Sequence, residues 1–167
     1  MVIAGLPLRN ADDVAYNQEL PALARRLRVD DAVAFVGFID RMADLYAASN
    51  IVVNSARFAE PFGRVAVEAL AAGRPFVAAR VGAVPEVVRH GREALLFPAD
   101  DHVALAEAIA RLWCDPELRD ELVRKGAQRV ALRFSEQRAV HAFAGVVEQV
   151  LSSKPRKSPF QLEGKSQ

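Results

Sequence analysis

The amino-acid sequence predicts an α/β protein: a Rossmann-like, doubly wound parallel sheet of about five strands, followed by C-terminal helices. Short apolar runs alternate with helical patterns from Met1 to Phe97, which is typical of a parallel sheet. The apolar runs are continuous rather than alternating, as expected for strands that are covered on both faces. After Phe97 the pattern is helical alone, so the sheet should end there.

Five strands are predicted from these runs: Met1–Ala4, Val33–Val36, Ile51–Val53, Phe76–Ala79 and Leu95–Phe97. The helix after the first strand should be capped by Asp12 or Asp13, and Pro21 should break or kink it. Asp40 is expected to cap a short second helix, and Pro85 should open another short helix after the fourth strand.

Three helices are predicted after the sheet. Asp100 or Asp101 caps the first, and Pro116 stands at the first position of the second, where a missing N–H costs nothing. The third starts at Ser135-Glu136 and reaches Leu151.

Length, composition and charge limit the possible functions. A length of 167 residues suits one domain, which we expect to span residues 1–151, and residues 152–167 have the polar composition of a disordered tail. A net charge of +1 does not favour a nucleic-acid partner. One cysteine excludes an internal disulfide, and three scattered histidines lack metal-ligand spacing, so we expect no metal. No apolar run approaches the ~18 residues of a membrane span, and we expect a cytoplasmic protein.

The stretch from Glu60 to Gly73 contains the residues that best suit a ligand-binding site. Residues Arg64 to Ala72 predict a helix that is apolar nearly all round and therefore buried. It nevertheless carries Glu68, and Glu60 lies in the loop just before it. A buried carboxylate needs a partner, and a helix start favours anionic ligands. The residues alone leave two alternatives for Glu68: pairing with a neighbouring arginine, or a role in a ligand site.

Three segments resemble the signature of family 4 (group 1) glycosyltransferases, which are retaining, nucleotide-sugar-dependent enzymes of the GT-B fold. The segments are Glu60-Pro61-Phe62-Gly63, the run from Glu68 to Pro75, and Gly82-Ala83-Val84-Pro85-Glu86. The resemblance extends from Met1 to about Leu151 and implies the C-terminal, donor-binding domain of such an enzyme.

The resemblance also implies a donor site made of Glu60, Phe62, Gly63, Arg64, Val65 and Glu68. In it Glu68 accepts the ribose hydroxyls, and Glu60 is the catalytic candidate, orienting hydroxyls of the donor sugar or, as the alternative, acting as nucleophile. The backbone amides from Phe62 to Val65 would face the diphosphate, with Gly63 allowing a close approach. The base would lie against Val36, Gly37 and Phe38. No cofactor is implied beyond the nucleotide sugar itself.

The sequence departs from the family pattern in several places. The N-terminal acceptor domain is missing, as are the first strand of this domain and the Arg and Lys that neutralise the diphosphate. Arg57, Arg64 or Arg80 are partial substitutes or ordinary surface arginines. Ala83 replaces the second glycine of a Gly-Gly pair, which limits backbone freedom in that loop. Asn54 stands where the family often has proline, and we expect no consequence.

These departures predict a donor-binding domain that is inactive alone. The alternative is a non-catalytic nucleotide-sugar-binding or interaction module, either a truncated paralogue or a subunit completed by a separate N-terminal partner. A nucleotide-sugar epimerase of the same fold fits Glu60-Pro61-Phe62-Gly63 less well. An uncovered sheet edge would also favour self-association.

Overall fold

The computed structural model describes residues 1–5 and 11–152, with only the backbone given for residues 11–13. The chain divides into two compact units, Met1–Ser49 and Asn50–Gln167. The described residues form five strands, all paired in parallel, and the α/β class with C-terminal helices is confirmed. The strands are distributed over two sheets, one in each unit.

The first unit contains, in order, β1 (Val2–Ala4), α1 (Ala11–Arg26), a 3-10 helix (Asp30–Ala32), β2 (Ala34–Gly37) and α2 (Met42–Ala48). Strands β1 and β2 pair in parallel, with Val2 opposite Ala34. Ala34, Phe35 and Val36 are all exposed, so the prediction that both faces of every strand are covered is wrong for β2.

Two local predictions in this unit are wrong, and one alternative of a third is excluded. Helix α1 continues through Pro21, so the predicted break does not occur, while the predicted kink stays a prediction. The helix begins at Ala11, which places Asp12 and Asp13 inside its first turn rather than at the cap. The N-cap of α2 is Arg41 and not Asp40.

The second unit contains β3 (Val52–Asn54), α3 (Arg64–Ala71), β4 (Phe76–Ala79), α4 (Val84–Val87), β5 (Leu95–Phe97), α5 (His102–Cys114), α6 (Pro116–Arg133) and α7 (Glu136–Ser152). The three strands pair in the order β3-β4-β5. Every residue of β4 and β5 is buried, as their continuous apolar sequences predict. The core around them includes Leu112 of α5 and Leu122 of α6.

Helices α5 and α6 are joined by a single residue, Asp115. The carboxylate of Asp101 caps α5 by accepting from the Ala104 amide at 2.8 Å. Asp115 ends α5 through its backbone amide and caps α6 through its carboxylate, which accepts from the Leu118 amide at 2.9 Å. The helix starts predicted at Asp101 and Pro116 are therefore confirmed, each with an oxygen acceptor for an otherwise unpaired amide.

Helix α6 packs closely on α3. Gly126 is buried in the middle of α6, and a Cβ atom added there would lie 2.5 Å from Cδ2 of Leu70. Glycine within a helix is less stable than alanine by roughly 0.5–1 kcal/mol. Its presence at this position is explained by the close approach of the two helices.

Helix α7 extends to Ser152, and all of its residues are exposed. Ser152, the first residue of the predicted tail, is therefore helical, and residues 153–167 lie outside the described residues. None of the helices that the structure describes combines the length and the apolar content of a membrane-crossing segment.

Candidate functional site

The N terminus of α3 lacks a side-chain cap. Its N-cap residue is Gly63, with φ 77° and ψ 47°, a left-handed conformation that other residues rarely adopt. The Gly63 carbonyl accepts from the amide of Ala66 at 3.0 Å. A glycine has no side chain to accept from the remaining first-turn amides, in contrast to the aspartates that cap α5 and α6. The start of α3 therefore presents backbone donors to an anion.

Glu60, in the loop before α3, is held by Asn54 at the end of β3. The amide Nδ2 of Asn54 donates to Oε1 of Glu60 at 2.7 Å, and its Oδ1 accepts from the backbone amide of Ala56 at 3.0 Å. The expectation that an asparagine at position 54 has no consequence is therefore wrong. Its side chain orients the Glu60 carboxylate and also shapes the turn that leads away from the strand.

The loop after β4 packs against the backbone of Glu60. Gly82 has φ 53°, and a Cβ atom there would lie 2.4 Å from the Glu60 amide nitrogen and 2.6 Å from its carbonyl oxygen. The amide of Ala83 donates to that same carbonyl at 3.0 Å. Ala83 itself has φ −77° and ψ −7°, which any residue adopts. The predicted loss of backbone freedom at Ala83 is therefore of no consequence, since Gly82 supplies the positive φ.

Glu68 lies one turn into α3 and pairs with Arg64. Its Oε1 accepts from Nη2 of Arg64 at 2.9 Å and from Nε at 3.2 Å. The Glu68 side chain is 35% exposed, so it is not the buried carboxylate that the apolar pattern predicted. Only Ala66, Ala69 and Leu70 of α3 are buried, because one side of this helix remains open. The side chain of Glu68 is thus partly accessible from solvent.

Phe62 connects the loop to the C-terminal helices. Its ring meets that of Phe134, the residue after α6, edge to face at a centroid distance of 6.0 Å. Two of the arginines considered as substitute cations already have acidic partners. Arg64 pairs with Glu68, and Arg57 contacts Asp100 with Nε 2.5 Å from Oδ1.

The residues predicted to face the base lie in the first unit. Val36 and Phe38 are exposed, and Gly37 ends β2 with φ 64°. Their role against a base stays a prediction. In the second unit, the structure brings the loop that carries Glu60, the segment from Gly82 to Ala83 and the start of α3 to one edge of the sheet, beyond the carboxyl ends of β3 and β4.

Sequence reasoning missed Asn54, Gly82 and Phe134 as supports of this site. Asn54 could have been recognised from its place at the end of an apolar strand, where asparagine commonly bonds the chain two residues on. The contact of Gly82 with Glu60 joins residues distant in sequence, and no local pattern indicates it.

Comparison with known proteins shows which family the chain resembles. Residues 1–115 match the family described as Glycosyl transferases group 1. The D-inositol 3-phosphate glycosyltransferase of Acidothermus cellulolyticus is 41% identical over 139 residues, covering 82% of this chain and 30% of that enzyme. The chain thus spans less than a third of the length of that relative.

Solved structures show the same fold. The Anabaena protein HepE in complex with UDP superposes with a TM-score of 0.81 at 29% identity, covering 91% of this chain and 40% of that protein. HepE has also been solved with UDP-glucose. The C-terminal domain of the group 1 glycosyltransferase LpcC from Francisella tularensis superposes with a TM-score of 0.69 at 25% identity, covering 76% of this chain and 66% of that domain. The chain therefore belongs to the group 1 glycosyltransferases and corresponds to the C-terminal region of their GT-B fold.

Proposed function

We propose that the second unit binds a nucleoside-diphosphate sugar, the donor of a retaining glycosyl transfer. The observation that carries the proposal is the position of Glu60, fixed by Asn54 and the Gly82–Ala83 backbone directly before the uncapped start of α3. The likeness to HepE, which binds UDP and UDP-glucose, supports the choice of ligand.

Each part of the donor has a matching group in this proposal. The diphosphate accepts hydrogen bonds from the amides at the start of α3, between Phe62 and Val65, where the helix dipole also favours negative charge. Glu68 accepts from the ribose hydroxyls, because charge-assisted hydrogen bonds to a carboxylate are about twice as strong as neutral ones. Glu60 accepts from hydroxyls of the sugar and so sets its orientation.

Arg64 has two tasks in the proposed site. It holds Glu68 in place through two hydrogen bonds to one carboxylate oxygen, Oε1. Its side chain is 81% exposed at the helix start, within the segment proposed to receive the diphosphate. The guanidinium can therefore move to a phosphate when the donor binds.

Glycosyl transfer also requires an acceptor held against the donor, and such alignment supplies ~7–11 kcal/mol of a barrier. We propose that this chain binds the donor by itself and that turnover requires an acceptor-binding portion facing it. The share of the relatives that this chain covers supports this proposal. Transfer of glucose from UDP-glucose by the purified 167-residue chain alone would contradict the requirement.

Titration calorimetry with UDP and UDP-glucose tests donor binding. Glu68→Gln should weaken both ligands by about 1.5–3 kcal/mol, the range for hydrogen bonds to charged groups. Glu60→Gln should weaken UDP-glucose but leave UDP nearly unchanged, because Glu60 faces the sugar. The control is Glu107→Gln, the same change at an exposed position of α5. Equal affinity of all three variants for both ligands would refute the assignment.

A further inference from the structure

A basic cavity of about 550 Å³ lies in the second unit, and its lining includes none of the residues assigned to the donor. Its walls come from the segment after α4, from α6 and from the start of α7. Six of its lining side chains are cationic: Arg89, Arg92, Lys125, Arg129, Arg133 and Arg138. The whole chain has a net charge of +1, so this concentration of positive charge is local.

Only one carboxylate, Glu93, lines the cavity among the described residues, and its side chain is 2% exposed. Arg89 occupies both of its oxygens. Oε1 accepts from Nη2 of Arg89 at 2.5 Å, while Oε2 accepts from its Nε at 3.1 Å and its backbone amide at 2.9 Å. Glu93 therefore balances the charge of Arg89 and holds its guanidinium group in place.

Among the residues that the structure describes, most of the other cations have no acidic partner of their own. Lys125 pairs with Glu121 on the same helix. Arg129 donates to the neutral backbone carbonyls of Glu86 and Val87. Within the part of the chain that the structure describes, neither Arg133 nor Arg138 forms an ion pair with a carboxylate.

The remaining cation, Arg92, reaches only the shared Glu93, with its Nε 3.6 Å from Oε1. The guanidinium groups are close enough to affect one another. Burial lowers the pKa of Arg129, the negative charge of Glu93 partly opposes this, and the positive charges of neighbouring arginines lower the pKa further.

The shape and donors of the cavity indicate the class of ligand. Guanidinium groups match phosphate oxygens with two parallel hydrogen bonds, and cavities of roughly 300–1,000 Å³ are typical of small-molecule sites. A concave site with this local charge suits a compact polyanion better than an extended nucleic acid. We propose that the cavity binds a small molecule carrying two or more linked phosphate groups, at a site separate from the donor loop.

Calorimetry of the full 167-residue chain with inorganic triphosphate tests the proposal. We expect one binding site per chain, much weaker binding of orthophosphate, and an affinity that falls as salt is raised. The double variant Arg133→Gln with Arg138→Gln should lower triphosphate affinity by at least about tenfold, because each removed guanidinium is a charged donor. Both residues are exposed, and circular dichroism checks that the variant is folded.

Arg124→Gln is the matched control, since it removes the same charge from α6 at an exposed position outside the cavity. It should change triphosphate affinity less than about threefold, as expected of an exposed, screened charge that does not line the cavity. The proposal is overturned if triphosphate does not saturate the chain at low salt, or if Arg124→Gln weakens binding as much as the double variant. Displacement of triphosphate by stoichiometric UDP would show that the cavity is the donor site. This result would overturn the proposal that the two sites are separate.

A phosphorylated lipid headgroup presents the same chemistry as a soluble polyphosphate. Co-sedimentation with phosphatidylcholine vesicles, with and without phosphatidylinositol bisphosphate, separates the two sources. Binding that requires the bisphosphate and is lost in the double variant assigns the site to a headgroup. Triphosphate binding without vesicle binding assigns it to a soluble anion. Failure of the donor titration would leave the triphosphate and vesicle results unaffected, because those two measurements use no nucleotide.

Discussion

The ring of Phe62 meets the ring of Phe134 edge to face, with interplanar angle 80° and centroids 6.0 Å apart. The contact joins the loop that carries Glu60 to the end of α6, the longest helix of the second unit. Such pairs contribute about 0.5–1.5 kcal/mol beyond the area they bury. The position of the donor loop thus depends in part on the C-terminal helices.

Phe134→Leu should therefore weaken UDP binding by about threefold to tenfold, because the loop before α3 loses its aromatic contact. Titration calorimetry measures the change. Phe143→Leu is the matched control, since Phe143 is 72% exposed on α7. Equal effects of the two variants would contradict a role of Phe134 in positioning the loop.

Asn54→Asp should weaken UDP-glucose binding and lower the free energy of unfolding by about 1–3 kcal/mol. The substitution removes the Nδ2 donor and places a second carboxylate beside Glu60, at the site of a 2.7 Å hydrogen bond. Chemical denaturation and calorimetry give the two quantities. Asn50→Asp, at an exposed position before β3, should change neither.

Gly82→Ala and Gly73→Ala separate backbone strain from a clash at the site. Both glycines have positive φ, 53° and 66°. This backbone strain alone should lower the free energy of unfolding of both variants by about 1–2 kcal/mol. Only at Gly82 would the new Cβ meet the Glu60 backbone, whereas nothing lies within 4 Å at Gly73. Of the two variants, only Gly82→Ala should abolish measurable UDP-glucose binding. Retained binding in that variant would show that the loop can shift without harm.

The lowered pKa of Glu93 determines how the free energy of unfolding should change at acid pH. Burial raises the pKa of Glu93, but the hydrogen bonds from Arg89 and the positive charges of Arg89 and Arg129 outweigh it, so the net pKa is lowered. A lowered folded-state pKa stabilises the fold above the ordinary carboxyl pKa, and this contribution is lost as pH falls through the folded value. Glu93→Gln should thus destabilise the chain by about 1–3 kcal/mol at neutral pH and by progressively less below about pH 4.

Urea denaturation across this pH range measures the effect. Glu121→Gln is the control, because the pKa of Glu121 is also lowered, by its hydrogen bond with Lys125, but at an exposed position. Its destabilisation should be much smaller. A pH-independent difference between Glu93→Gln and the parent chain would show that only packing is lost.

The sequence predicts the strands and helices of the second unit well because their signals are local. Buried strands such as Phe76–Ala79 are continuous apolar runs, and Asp115-Pro116 is a helix start that needs no tertiary information. The helix does not break at Pro21 because surrounding helix formers outweigh one missing hydrogen bond. Predicting Asp40 as a cap fails because propensity alone locates a helix start only to within a few residues.

The candidate site is only partly predictable because some of its contacts exist only once the chain has folded. The family motif points to Glu60 and Glu68, but the groups that hold Glu60 come from the end of β3 and from the loop after β4. Asn54 is six residues away and Ala83 is further along the chain, and both act through contacts that the fold creates. The exposure of Glu68 likewise depends on which side of α3 its neighbours cover.

The close approach of Leu70 and Gly126 means that these two positions can change only together. A methyl group at position 126 would overlap Cδ2 of Leu70, and overpacking of this kind typically costs about 1–3 kcal/mol. Shortening the buried Leu70 first would also give a destabilised intermediate, since replacing a core leucine by alanine typically costs about 2–5 kcal/mol. Libraries that vary both positions together should therefore recover paired replacements that single-site libraries reject.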